Sequence, residues 1–223
     1  SSTIRGIQFN ISKKIVICGH VRICSLSILY LLNMCMLVIG NGESRKNINL
    51  DQFTDTKVGC NALYRDYTVD HLICCDKRMV KEVQANNTFK GLLYTRKDWY
   101  TDFKGVECLP DLPYAGGARP DDPWHWGSGP FAVLIGARLA YEWDHPVNLI
   151  GFDLYSDTTV NNIYKGTQNY NKVDSRPVDP SYWIYQMGKV FQCFPKIQFN
   201  YYATEKWPDK YSNVSSLQLE ELK

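Results

Sequence analysis

Apolar residues in this chain come in short runs that end on a polar or glycine-rich tip. Met36 to Ile39 is wholly apolar and partly β-branched, the pattern of a parallel strand covered on both faces. It runs into Gly40-Asn41-Gly42, a tight turn that feeds a helix or loop. Lys57 to Ala62 predicts a second strand that reaches its end at Asn61, and His71 to Asp76 a third that ends in Asp76. Lys77 to Val83 reads as a helix, Leu92 to Thr95 as a fourth strand, and Trp99 to Phe103 as a helical turn. From Leu109 to Pro130 the chain is rich in Pro, Gly and Asp, a long loop of the kind that carries function. Phe131, Leu134, Ile135, Arg138 and Leu139 then recur at helical spacing within a helix from Gly129 to Tyr141, with small residues between them that permit close packing. Val147 to Asp153 is the strongest later strand and ends in Gly151-Phe152-Asp153. Ser156 to Pro180 is a second long polar loop, expected to be mobile; Tyr182 to Phe194 is a helix, and Ile197 to Tyr202 a last strand. This alternation argues for α/β architecture: one domain, a parallel or mostly parallel sheet, and helices on both faces.

The segment before this domain fits less well. Ile23 to Gly40 is an 18-residue run without charge, long enough for a membrane anchor or a signal core. Its last residues are also needed as the first strand, and one segment cannot do both. The expected division is therefore a leader or extension over 1–35, the α/β domain over 36–203, and a polar tail over 204–223. Membrane contact is expected only if residues 15–35 act as an anchor.

Composition narrows the function classes. The 223 residues carry a formal net charge of +2, with Lys and Arg scattered, which argues against nucleic acid as a partner. The eight cysteines form no C-x-x-C pair, and Cys60, Cys74 and Cys75 fall in buried strands, where a thiol behaves as a small apolar group. A reducing, cytoplasmic compartment is the expectation, with a membrane-anchored form as the alternative.

Four strand tips carry polar or glycine-rich ends: Asn41, Asn61, Asp76 and Gly151-Phe152-Asp153. A right-handed α/β sheet brings such tips to one edge, where ligands bind. The helix start at Trp126-Gly127-Ser128-Gly129 joins them, with Ser128 as a cap and the first N–H groups as an anion site. The first turn is only half of a dinucleotide fingerprint, because Arg45 stands at the third glycine position. Each element also has a plain structural reading: Ser128 as a helix cap, Asp153 as the cap of a turn, Asn61 as a loop holder.

The segments VIGNGESRKNINLDQF, VGCNALYRD and WGSGPFAVLIGARLA with NLIGFDLYS resemble, in order and spacing, the bacterial lipooligosaccharide sialyltransferases. The wider group includes archaeal-type pterin diphosphokinases, and the chain is also similar to uncharacterised proteins carried by marine phages. The resemblance implies a Rossmann-like glycosyltransferase that moves a sugar from a cytidine monophosphate donor to a glycan or small hydroxyl acceptor, with no metal and no further cofactor. It places Asn41 and Gly42 near the phosphate and ribose, and Asn61 against the donor. Ser128 and Gly129 would take the phosphate, Gly151, Phe152 and Asp153 the cytidine, and Tyr155 would donate to the phosphate. Asp76 stands where the family has an Asn near the sugar. For a phage protein the compartment would be the host cytoplasm.

Departures from the family concern the base. The family uses a His after its mobile loop, and no His follows His145 here. The corresponding place falls near Asp179, and His125 is a second candidate, with a structural alternative as a ring stacked between Trp124 and Trp126. Glu43 adds a negative charge near the expected phosphate site. Tyr155, Tyr164 and Tyr170, with the neighbouring Asn161, Asn162 and Asn169, suit sugar or phosphate contacts from the second loop, which also reads as a plain surface loop. Trp124, Trp126 and Trp143 are candidates to stack on a sugar, although Trp143 suits the core better. A diphosphokinase would need Asp76 and Asp153 to hold Mg²⁺. A non-catalytic protein on the same fold is the remaining alternative.

Overall fold

The structure, a computed structural model, describes residues 35–222 except 87 and 144, and not the side chain of Trp143. The expected leader, apart from Cys35, and the Trp143 ring therefore lie outside the described residues.

Eight parallel strands form one sheet in the order β5-β4-β3-β2-β1-β6-β7-β8. They are β1 (Met36–Ile39), β2 (Thr56–Cys60), β3 (His71–Ile73), β4 (Leu92–Thr95), β5 (Glu107–Cys108), β6 (Val147–Ile150), β7 (Phe199–Tyr202) and β8 (Val214–Leu217). Among the described residues three α-helices accompany them: α1 (Lys77–Ala85), α2 (Ser128–Trp143) and α3 (Ser181–Cys193). This is a Rossmann-like α/β fold.

The short apolar runs become strands because both sheet faces are covered. Successive side chains point to opposite faces. Met36 and Val38 therefore enter the core layer under α2 and α3, while Leu37 and Ile39 enter the layer under α1. β6 divides in the same way, with Val147 and Leu149 on one side and Ile150 on the other. Helix α2 lies against β1, β2, β3 and β6. Its closest approach is at Gly136, where a Cβ would stand 2.4 Å from Val38 Cγ2. Helix α3 packs beside α2, and its Phe191 ring lies 4.7 Å from Phe199 and 5.2 Å from Trp207, centroid to centroid. On the other face, α1 buries Met79, Val80 and Val83.

The structure departs from the sequence expectation at β5 and at β8. β5 is only two residues long, Glu107–Cys108, too short to show a period. The expected polar tail contains β8, which pairs in register with β7, and Trp207 before it is buried. Its sequence, Val-Ser-Ser-Leu, is half polar because an edge strand is only partly covered. The first crossover holds two 3₁₀ turns, Glu43–Arg45 and Leu50–Gln52, and no α-helix. Among the described residues no helix is long and apolar enough to cross a membrane.

Gly136→Val should destabilise the domain by about 3 kcal/mol, because Val38 is β-branched and cannot swing aside. Chemical denaturation at neutral pH measures this, and an unchanged midpoint would contradict the packing described.

Candidate functional site

Strand order reverses between β1 and β6: the chain runs outward from β1 to β5, returns to β6 beside β1, and continues outward the other way. The carboxyl ends of the strands at such a switch point splay apart and leave a crevice. Gly40 and Gly42 follow β1 there, and Gly151 to Leu154 follow β6.

The two tips are tied together. Gly40 N–H donates to Ile150 O and Gly42 N–H to Gly151 O, each at 2.8 Å. Gly151 adopts φ +66°, and a Cβ on Gly40 would stand 2.2 Å from Gly151 O. Gly42 makes room for the Asp153 carboxylate, whose Cγ would lie 2.5 Å from its Cβ. That carboxylate accepts from Ser44 N at 2.8 Å and from Ser44 Oγ.

Arg45, at the third position of the broken glycine fingerprint, folds back beneath the turn and is 2 % exposed. Its Nε donates to Gly40 O at 2.6 Å, and its Nη2 to Asn41 Oδ1 at 3.2 Å and to Tyr164 OH at 3.4 Å. Tyr164 OH donates onward to Asp66 at 2.7 Å. Asn41 Nδ2 reaches Cys60 O at 3.0 Å and Tyr170 OH at 3.2 Å, so this amide bridges the ends of β1 and β2.

Ser128 does not cap its helix. Its Oγ accepts from Cys75 N and donates to Asn61 Oδ1, both at 2.9 Å. It thereby joins the ends of β2 and β3 to the start of α2 and orients the Asn61 amide, which sits at φ 52°. The first helical bond here runs from Phe131 N to Gly127 O, so the N–H groups of Ser128 and Gly129 precede the helix ladder.

These parts enclose a cavity of about 250 Å³. Eight expected residues line it: Asn41, Gly42, Asn61, Ser128, Gly129, Gly151, Phe152 and Asp153. Asn161 and Asn162 add two amides, and Phe152, Leu154, Trp183 and Met187 form the apolar wall. Among the described residues no Lys, Arg or His is part of the lining, and Asp153 is its one carboxylate. Burial pushes the Cys60 thiol up to about 12, against the opposing pull of Arg45, so this lining thiol stays protonated.

Five other expected residues lie outside the cavity lining. Asp76 caps α1 by accepting from Arg78 N at 2.8 Å and pairs with the Arg78 guanidinium at 2.7 Å. Tyr155 is 51 % exposed on the surface. Tyr164 is buried behind the turn, between Arg45 and Asp66. His125 is exposed, and its carbonyl accepts from Gln186 Nε2 at 3.0 Å. Asp179 is exposed and caps the start of α3 through Ser181 N at 2.9 Å. The expected Trp-His-Trp stack also dissolves: Trp126 packs on Phe131 in the core, and Trp124 lies against Arg96.

The second long loop, read as mobile, is tied down. Ile163 N donates to Asn41 O at 2.8 Å, Arg65 reaches Thr167 and Gln168, and Asn169 Nδ2 donates to Glu82 at 2.7 Å. Glu43 pairs with Lys165 at 2.9 Å, which turns its charge toward this loop. The sequence reading gave Tyr170 as a sugar or phosphate contact, where its hydroxyl bonds Asn41, and it missed the role of Arg45 and the wall residues Trp183 and Met187. The misplaced arginine in the glycine motif was the available signal for the first, and only the three-dimensional path of α3 shows the last two.

No family model, curated protein or solved structure matches this chain. The fold and the site define a Rossmann-like α/β protein with a ligand-sized cavity at its switch point.

Arg45→Met removes a charged donor from the buried Gly40 carbonyl and should cost about 2 to 3 kcal/mol of stability by chemical denaturation. An unaffected variant would show that the turn holds without it. Burial tends to raise the Glu82 carboxyl, but bonds from Tyr64, Arg65 and Asn169 outweigh it and hold the group below its ordinary value of 4.5. Its contribution is complete above the unfolded value and is lost as pH falls through the lower folded value. Glu82→Gln should therefore be less stable than the parent at pH 7, with the gap closing as the pH falls through the lowered folded value; parallel stability curves would contradict this.

Proposed function

We propose that the chain is a sialyltransferase-like glycosyltransferase whose switch-point cavity holds the nucleotide part of a CMP-sugar donor. The observation that carries the reading is the position and lining of the cavity. It lies where α/β sheets bind nucleotides, glycines let the ligand approach the backbone, and Ser128 and Gly129 line it at a helix start, where backbone N–H groups suit an anion. Trp183, Met187 and Phe152 offer an apolar surface for a base, and Asn61 and Asn162 offer amides for hydroxyls or base edges.

Charge favours a donor with one phosphate. Among the described residues the lining holds no basic side chain and one carboxylate, so helix and turn N–H groups suit a single phosphodiester better than a diphosphate. In the transfer step the acceptor oxygen bonds to the anomeric carbon as the bond to the donor phosphate breaks. CMP leaves with the electron pair, and the acceptor proton passes to a base. The chain carries His125 two residues before Gly127 and Asp179 four residues before Trp183, so both stand near the cavity wall as base candidates. A cytoplasmic setting belongs to the same proposal, supported by the unbridged thiols of Cys60, Cys74, Cys75, Cys108 and Cys193.

A second reading, a nucleotide-binding protein without transfer activity, is favoured by one observation. Neither Asp179 nor His125 lines the cavity, and both Asp153 oxygens are engaged by Ser44. The diphosphokinase reading is weaker, because Asp76 does not join Asp153 in the lining.

Calorimetric titration with CMP, CDP, UDP, GDP and ATP, each with and without Mg²⁺, tests the site. CMP should bind at micromolar strength, about −8 kcal/mol, with the same affinity with and without Mg²⁺, and Ser128→Ala should weaken it at least about tenfold. Absence of CMP binding would end the proposal. Release of CMP from a CMP-sugar in the presence of an acceptor separates an enzyme from a binder.

A further inference from the structure

A second cavity, of about 360 Å³, opens on the same edge of the sheet beyond the ends of β4 and β5. Arg96 and Lys97 after β4, Pro110 and Asp111 after β5, and Pro123 and Trp124 contribute to its lining. The chain from Pro123 to Phe131 separates the two cavities, with Gly127 to Pro130 walling the first and Pro123, Trp124 and Phe131 the second.

Trp124 is the distinctive feature. It is 45 % exposed, yet held in place. The Arg96 guanidinium sits 4.1 Å from the Trp99 ring centroid and 5.3 Å from that of Trp124. Arg96 Nη1 also donates to Trp124 O at 3.1 Å, and Trp124 N donates to Asp122 at 2.9 Å. A large aromatic surface left open and fixed in advance is a ligand platform, because little entropy is lost when something stacks on it.

The polar groups indicate what stacks there. Asp98 takes the charge of Arg96 at 2.7 Å, and Lys97 pairs with Asp111 at 3.0 Å, so two cations face two carboxylates. Asp111 lines the cavity and Asp98 lies behind Arg96, so each lining cation is already paired with a carboxylate, which disfavours an anion. A neutral sugar ring fits: its C–H face lies on the indole, and its hydroxyls exchange bonds with the Lys97 ammonium and the Asp111 carboxylate.

We propose that this second cavity is a carbohydrate subsite with Trp124 as its stacking platform. Its role as the acceptor's place rests on the glycosyltransferase reading; sugar binding itself does not. The test is saturation-transfer NMR on the full chain with lactose and with maltose. The sugar C–H protons should receive saturation from the parent protein. Trp124→Ala should lower the affinity about tenfold with an unchanged melting temperature, and Tyr141→Ala, an exposed aromatic outside this lining, should leave it unchanged. No transfer to either sugar, undiminished transfer in Trp124→Ala, or equal loss in both variants would overturn the subsite. CMP titration of the same samples reports separately on the first cavity.

Discussion

The ends of β1 and β6 meet at backbone contact, and the site depends on that meeting. Gly40 faces Gly151 so closely that no side chain fits at either position. The closure turns Gly151 O toward Gly42 N and leaves Gly40 O to be satisfied from below by Arg45. A buried guanidinium is costly unless every hydrogen-bonding direction finds a partner. Here a carbonyl, an amide and a tyrosine hydroxyl receive it, and Asp66 stands behind the tyrosine. The turn, the arginine and the second loop therefore form one unit.

This unit explains why the cavity is lined by amides and backbone and by no basic side chain. The available cation lies behind the wall, and Asp153 is spent on fixing the Ser44 turn. Ser128 works in the same way on the opposite wall, where one hydroxyl joins the ends of β2 and β3 to α2. What faces the ligand is a set of fixed neutral donors beside an apolar surface, which suits a lightly charged nucleotide. The balanced charges around Trp124 extend this character along the same edge of the sheet.

Much of the fold was legible because burial on both faces leaves an unmistakable trace. Leu37, Val38 and Ile39 are all apolar since each layer claims alternate residues. β5 and β8 were not legible: one is too short for any period, and the other shows Ser215 and Ser216 at a partly open edge. Strand tips at Asn41, Asn61 and Asp153 were found because tip position follows from the strand alone. Asp76 and Asp179 lie outside the cavity lining as helix caps, because a polar residue at a helix start satisfies a cap as readily as a ligand, and His125 lies outside it on an exposed 3₁₀ turn. Arg45 carried information as a violation of the glycine pattern, but its direction depends on Tyr164 and Asp66, far along the chain.

The most direct test of the account is amide NMR of the chain as CMP is added. The largest shifts should fall together on Gly40 to Gly42, Ser128 and Gly129, and Gly151 to Asp153, the backbone on both sides of the switch point. Shifts confined to other parts of the sheet edge, or none at saturating CMP, would contradict the claim that this crevice is the nucleotide site.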